Sequence, residues 1–110
     1  MEQSMEYQLC PKFQKTFTIL GKKWNGLIVD VLLEGGPQRF TEIAEKIPDV
    51  SDRVLAERLK ELETETLVEK ISCGPDTKRW EYHLTQKGMD LKNSIMDLRR
   101  WSDKWIENLA

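Results

Sequence analysis

The chain has 110 residues, which is enough for one domain but not for two independent cores. Hydrophobic residues make up 39% and charged residues 33%, a composition that excludes both a disordered chain and a membrane protein. The net charge of −2 excludes a uniformly basic coat, although it allows a local basic face. No apolar run approaches the ~18 residues of a membrane helix, and the polar start has no signal-peptide core, so we expect a cytoplasmic protein without membrane contacts.

The first third of the chain predicts two helices. Pro11 suits the first turn of a helix, which we expect to run from about Pro11 to Leu20. A second helix is predicted from about Lys22 to Glu34, because one buried stripe recurs at helical spacing in Trp24, Leu27, Ile28, Val31 and Leu32. The Gly-Gly-Pro sequence at 35–37 ends this second helix.

The next segment predicts a helix-turn-helix over about residues 41–64. After an extended link at 38–40, a short helix is expected at about Thr41 to Lys46, followed by a tight turn at 48–50. Ser51 is a good cap for a helix from Asp52 to about Thr64. Three leucines at helical spacing are expected to face inward from this helix: Leu55, Leu59 and Leu62.

The remainder predicts a β-hairpin, or wing, over about residues 67–84 and then one long helix. The strands are expected at 67–73 and 79–84, where Trp80, Tyr82 and Leu84 alternate with polar residues as in a strand buried on one face. Thr85 caps a continuous final helix, at about 86–108. The predicted fold is therefore a single domain over 1–110, mainly α with a small β hairpin: a winged helix-turn-helix.

An ordered set of short motifs extends through nearly the whole chain: Cys10-Pro11, Gly21–Trp24, Arg39–Ile43, Ile47–Ser51, Leu55-x-x-Arg58-Leu59-x-x-Leu62-Glu63 and Glu81-Tyr82-x-Leu84-Thr85-x-x-Gly88. Together they resemble the HxlR-type winged helix-turn-helix transcriptional regulators, which are cousins of the MarR-type regulators. The resemblance implies a homodimeric regulator of double-stranded DNA in a bacterium or archaeon. Two positions depart from the family pattern, because Thr66 stands where a glycine is usual and Cys73 where an aromatic residue is more common.

The predicted DNA surface centres on the second helix of the helix-turn-helix. Arg53 is the best candidate for a guanine contact, since its guanidinium can bridge O6 and N7. Ser51 and the first free N–H groups suit a phosphate. The acid-free stretch 9–29, with its four lysines, suggests a flank that contacts the DNA backbone. The expected DNA-binding residues are Arg39, Thr41, Ser51, Asp52, Arg53, Ala56, Glu57, Lys60, Lys78 and Arg79.

Two alternatives remain open for these surfaces. The outward charges on the recognition helix are also compatible with an ordinary solvated face. The terminal helices carry more apolar surface than a small core needs, which predicts pairing across a two-fold axis, although the same stripe could pack within one chain. The predicted dimer residues, on helices at about 11–20 and 86–108, are Phe13, Phe17, Leu91, Ile95, Leu98, Trp101 and Trp105.

Cys10 is the candidate redox-sensing residue. It directly precedes Pro11, so helix N–H groups and Lys12 are expected to favour its thiolate, which reacts with oxidants and electrophiles. The resemblance agrees, since some HxlR-type regulators sense such compounds through a cysteine just before this proline. Cys73 is a candidate resolving partner. The alternative is that Cys10 is a small buried hydrophobe and that Cys73 only fills a position in a strand.

The sequence favours no enzyme, cofactor or metal. It has no glycine-rich phosphate loop, no nucleophile paired with the single His83, and no ligand spacing typical of zinc. The predicted function is a homodimeric repressor of a pseudo-palindromic operator, released by oxidation or alkylation of Cys10. The alternatives are a winged-helix module that binds protein, and a regulator that responds to a small apolar ligand at the dimer interface.

Overall fold

A computed structural model describes residues 7–75, 79–107 and 109 of the chain. It is mostly helical with one antiparallel two-stranded sheet, which confirms the predicted fold class. Throughout the part of the chain that the structure describes, every helix is too short or too polar to cross a lipid bilayer. The elements in order are α1 (Pro11–Leu20), α2 (Asn25–Gly35), α3 (Phe40–Lys46), α4 (Asp52–Thr64), β1 (Val68–Ser72), β2 (Trp80–Leu84), α5 (Gln86–Met89) and α6 (Lys92–Trp105).

Local capping explains why α3 and α4 begin where they do. The Arg39 N–H donates to Glu42 Oε1 at 2.8 Å, so α3 starts at Phe40, one residue earlier than predicted. Ser51 Oγ accepts from the Val54 N–H at 3.2 Å and fixes the start of α4. The bounds of α4 agree with the prediction.

The core lies where α2, α3 and α4 meet beneath the hairpin. Its largest fully buried side chains come from these helices and are Ile28, Leu32, Ile43, Leu55, Leu59 and Leu62. Tyr82 of β2 closes the cluster at 7% exposure. Removing this apolar surface from water is the main stabilising contribution, and it fixes α4 with one face inward and one face free.

The hairpin is tied to the chain segment just before α3. Its strands pair from Val68 opposite Leu84 to Ser72 opposite Trp80. Gln38 adds an isolated bridge, in which Tyr82 N–H donates to Gln38 O at 2.7 Å and Gln38 N–H donates to Tyr82 O at 3.2 Å. The prediction that Trp80 is buried with Tyr82 is wrong, because Trp80 is 41% exposed on the outer part of the wing.

Two predicted helices have different bounds in the structure. The second begins at Asn25 rather than Lys22, because Trp24 takes a left-handed φ of 84° that a helix cannot contain. The predicted final helix is divided into α5 and α6 by a turn at Asp90 and Leu91. Gly88 packs directly on Leu67, the residue before β1, since a Cβ at position 88 would lie 2.4 Å from Leu67 O, and this close approach places α5 beside the base of the hairpin. Position 108, where the predicted helix ended, lies outside the described residues.

Candidate DNA-binding surface, dimer face and thiols

The outer face of α4 is exposed to solvent, as it must be in a helix that enters a DNA groove. Leu55, Leu59 and Leu62 are fully buried. The residues predicted to contact DNA from this helix and its cap are all exposed: Ser51, Asp52, Arg53, Ala56, Glu57 and Lys60. The amphipathic spacing read from the sequence therefore places the expected contacts on one accessible side.

A cleft between α3, α4 and the hairpin, here called the wing cleft, unites four of the predicted residues. It has a volume of about 550 Å³. The predicted residues that line it are Arg39, Thr41, Ala56 and Arg79. Because three separate elements supply these side chains, the cleft depends on the tertiary fold. Lys78, which the sequence assigns to the same surface, lies outside the described residues.

The wing cleft also contains residues that the sequence reasoning missed. Lys70 lies with its Nζ 5.4 Å from the Trp80 ring and 5.9 Å from the Tyr82 ring, which places a third cation beside Arg39 and Arg79. Lys70 pairs with Tyr82 in the hairpin register. The pairing of the two predicted strands could have placed Lys70 beside Tyr82, because residues directly opposite each other share a face of the sheet.

Acidic residues at the C-terminal end of α4 and directly after it pair with lysines of α1 and of the segment that follows α1. Lys22 Nζ lies 2.6 Å from Glu61 Oε2, and Lys15 Nζ lies 3.2 Å from Glu65 Oε2. Arg58 Nη1 reaches the other Glu61 oxygen at 2.9 Å. The hydrogen bond from Lys22 is the largest of the effects that hold the pKa of Glu61 below its ordinary value. Two of the four lysines expected to flank DNA are thus engaged within the protein.

An apolar face on α1 and α6, here called the α1–α6 face, is exposed. The rings of Phe13 and Phe17 meet edge to face at 5.0 Å. They border a groove of about 710 Å³ with Leu91, Leu98 and Trp101. Large side chains on this face are more than half exposed: Phe13, Phe17, Leu98, Trp101 and Trp105.

Ile95 is a correction to the predicted dimer surface. Its side chain is only 9% exposed, so it is buried within the protomer. It lines a cleft shared by α2 and α6. Leu91 is half-buried and packs against the protomer core while still reaching the groove.

The two cysteines lie in different environments, and both are free thiols. Cys10 is the cap residue of α1 and is exposed, so the alternative that it is a buried small hydrophobe is wrong. Cys73 is half-buried after β1, and desolvation, with Glu81 adding to it, raises its pKa above the ordinary value. A raised pKa favours the protonated thiol, which is a weaker nucleophile than the thiolate.

The remaining chemistry-bearing residues form no further centre in the described ranges. His83 Nε2 lies 3.3 Å from Glu81 Oε1 in the hairpin. Over residues 7–75, 79–107 and 109, the structure contains no group of three or more His, Cys, Asp or Glu side chains arranged to hold a metal ion.

An exposed helix after a tight turn, set beside a hairpin, defines a winged helix-turn-helix protein. The profile of the HxlR-like helix-turn-helix family matches residues 19–110, so the chain belongs to the HxlR-like family. The transcriptional regulator YodB of Bacillus subtilis strain 168 is 44% identical over 99 residues, which cover 90% of this chain and 88% of YodB.

Solved structures of YodB from B. subtilis have the same fold. The reduced form matches with a TM-score of 0.77 at 46% identity, covering 91% of this chain and 97% of the YodB chain. The quinone-bound form matches with a TM-score of 0.75 at 45% identity, covering 87% and 100%. The chain is thus a helix-turn-helix DNA-binding regulator of transcription and not an enzyme.

Proposed function

We propose that the protein is a homodimer that represses transcription from a pseudo-palindromic operator, and that oxidation or alkylation of Cys10 releases it. The observation that carries the DNA-binding part is the wing cleft, which brings Arg39, Thr41 and Arg79 beside the free face of α4. Positive side chains around a protruding helix suit a phosphate backbone next to a major groove.

In this proposal α4 enters the major groove with its N-terminal half. Arg53 reads a guanine edge, and Glu57 accepts from a cytosine amino group or stays in water. Ser51 and Lys60 contact phosphates on either side of these bases. Arg39, Lys70 and Arg79 bind the backbone and the adjacent minor groove, whose negative potential attracts cations.

The α1–α6 face supports the homodimer. Large apolar side chains exposed on two adjacent helices are unfavourable in water, and pairing with a second copy removes them from it. A two-fold axis between the copies would set the two α4 helices about one DNA turn, roughly 34 Å, apart. The two-fold symmetry gives the proposed operator its pseudo-palindromic form, and the helix separation sets the spacing of its half-sites.

The position of Cys10 supports thiol-based release. Its side chain is exposed at the start of α1, the same helix that presents Phe13 and Phe17 on the α1–α6 face. In alkylation, the Cys10 thiolate forms a bond from sulfur to an electrophilic carbon of a quinone, and a quinone oxygen takes up a proton. The added group changes the packing of α1 at the dimer face and so the separation of the two α4 helices. YodB has been crystallised reduced and with quinone bound, which supports this chemistry for its relatives.

A second candidate is a regulator that binds a small apolar ligand in the groove of the α1–α6 face. The groove volume of about 710 Å³ and its aromatic lining favour this candidate. It differs from thiol release in one respect, because an unreactive ligand would act equally on a protein that lacks Cys10.

One experiment tests the proposal as a whole. Duplexes are selected from a random library with the reduced protein and sequenced, and the selected duplex is then released with a quinone or diamide. We expect a pseudo-palindromic site, release of the wild type and of C73S, and no release of C10S. The Cys73→Ser variant is the matched control, since it also removes one thiol. Release of C10S to the wild-type extent would refute thiol sensing, and failure to enrich any duplex would refute operator recognition.

A further inference from the structure

A second basic cleft lies against α4, at the corner between α1 and α2. It has a volume of about 370 Å³ and is here called the corner cleft. The corner supplies Lys22, Lys23 and Trp24, and α4 supplies Val54 and Arg58. None of these five residues belongs to the DNA surface predicted on α4 or to the wing cleft.

The corner cleft and the wing cleft flank α4 on opposite sides. Ala56 lines the wing cleft, whereas Val54 and Arg58 line the corner cleft. Helical residues are about 100° apart, so Val54 and Ala56 point about 200° apart around the helix axis. The exposed face of α4, with Arg53 and Glu57, is therefore a ridge between two basic clefts.

Lys23 is the cation of the corner cleft with the least compensated charge. Lys22 and Arg58 share the carboxylate of Glu61, and Arg58 also lies 3.8 Å from Glu57. Among the ion pairs found between residues of the described ranges, Lys23 takes part in none, and its side chain is exposed. Its Nζ lies 4.8 Å from the Trp24 ring, which holds the ammonium beside the cleft.

The corner is firmly attached to α4 and to α1. Asn25 is fully buried, and its Nδ2 donates to Ile19 O at 2.7 Å. Lys22 Nζ donates to Glu61 Oε2 at 2.6 Å. Because both contacts hold the corner in place, Lys23 keeps a fixed position relative to the exposed face of α4.

The dimensions of DNA match this arrangement. The major groove is about 12 Å wide and is bordered by two phosphate backbones, while a helix with its side chains is about 10–12 Å across. A helix in the groove therefore meets one backbone on each flank. We propose that the corner cleft binds the phosphodiester backbone of one strand, mainly through Lys23, while the wing cleft binds the backbone of the other. This inference rests on the proposed binding of duplex DNA.

The test is the salt dependence of binding for two charge-matched variants. Lys23→Gln removes the proposed contact, and Lys92→Gln removes an exposed lysine at the start of α6 that lines neither cleft. Each reduced protein is titrated into a fluorescent random-sequence duplex at several salt concentrations. Each lost phosphate contact lowers the slope of log K against log salt by about 0.9, so we expect a loss of about 1.8 for a K23Q dimer. With equal affinities at ~1 M salt, this corresponds to a weakening of about 60-fold at about 0.1 M salt. Lys23→Arg should restore the wild-type slope.

The outcomes separate this inference from the proposed function. Equal slopes for K23Q and K92Q, with normal binding by the wild type, would overturn the corner-cleft contact and leave the proposed function standing. No duplex binding by the wild type at low salt would overturn both. A reduced slope in K23Q alone, restored in K23R, supports the contact.

Discussion

Arg99 of α6 donates two parallel hydrogen bonds to the carboxylate of Asp30 in α2. Nε donates to Oδ1 at 2.8 Å and Nη2 donates to Oδ2 at 2.7 Å. Paired bonds of this kind fix orientation as well as distance. The contact therefore sets the rotation of α6 on the domain and decides that Leu98 and Trp101 are presented on the α1–α6 face.

The first prediction concerns this ion pair. Arg99→Ala should lower the free energy of unfolding by about 1 kcal/mol, since the pair is bidentate but partly solvated. Arg100→Ala is the control, because Arg100 pairs with Asp97 within α6 and both side chains are more than half exposed. The control should change stability by less than about 0.5 kcal/mol. Chemical denaturation at one fixed protein concentration measures both, and equal effects would refute an orienting role for Arg99.

The second prediction concerns the dimer face. Trp101→Glu places a charge on a side chain that is 57% exposed and borders the groove of the α1–α6 face, so it should yield a folded monomer. Met96→Glu is the control, because Met96 is also exposed on α6 but lies outside that groove. Light scattering coupled to size exclusion gives the mass of each variant. A dimeric Trp101→Glu protein with native circular dichroism would exclude this face as the interface.

Local chemistry explains which elements were predictable. Pro11 and Ser51 mark helix starts by their own backbone and side-chain preferences, and α1 and α4 begin as predicted. The start of α2 was not predictable in this way, because Trp24 is apolar and at helical spacing yet takes a left-handed backbone. The break after α5 was missed for a related reason, since the apolar spacing continues across the turn at Asp90 and Leu91, and the packing of Gly88 on Leu67 is a tertiary contact that the spacing does not show.

The sequence could predict a site residue only where the periodicity of a single helix or strand fixes the face on which that residue lies. Arg53 and Lys60 follow from the inward leucines of α4, because helical periodicity fixes the opposite face. Lys70 enters the wing cleft through contacts between elements distant in sequence. Lys23 belongs to the acid-free stretch that suggested a DNA-contacting flank, but its place beside Val54 and Arg58 of α4 is a tertiary contact that the stretch does not show. Ile95 was assigned to the dimer for the same reason, since apolar spacing does not tell which partner a side chain meets.

The third prediction concerns Thr66, a residue other than glycine that has a left-handed backbone. Its φ of 62° lies in the left-handed region, which costs a β-branched residue on the order of 1–2 kcal/mol. Thr66→Gly should therefore raise the free energy of unfolding by about 1 kcal/mol, after the entropic cost of glycine is subtracted. The hydrogen bond that Thr85 Oγ1 donates to the Thr66 carbonyl oxygen, at 2.6 Å, is retained because its acceptor belongs to the backbone.

Thr64→Gly, the same substitution two residues earlier, is the control for the Thr66 experiment. Thr64 ends α4, so Thr64→Gly should lower the unfolding free energy by a few tenths of a kcal/mol to about 1 kcal/mol. Thermal and urea denaturation of the two variants should thus change in opposite directions. If Thr66→Gly is destabilising as well, the left-handed backbone carries no strain that glycine relieves.

The fourth prediction concerns the pH dependence of the Glu61 ion pairs. Lys22 and Arg58 favour the ionised carboxylate, and the pKa of Glu61 in the folded protein lies below its ordinary value. A lowered pKa stabilises the fold above the unfolded-state value, and the contribution is lost as pH falls through the folded-state pKa. Glu61→Gln removes the charge while keeping an acceptor for Asn25. The variant should therefore have a lower free energy of unfolding than the wild type at neutral pH, and this difference should disappear in acid.

The measurement is the unfolding free energy of the wild type and Glu61→Gln across the acid range, from neutral pH to about pH 3. Glu45→Gln, which removes an exposed carboxylate from α3, corrects for general charge effects. A deficit that stays constant from neutral to acid pH would mean that the substituted amide disturbs packing rather than charge. Closure of the deficit only below the ordinary pKa of glutamate would instead assign the stabilisation to the Glu61 carboxylate, which joins the corner to α4.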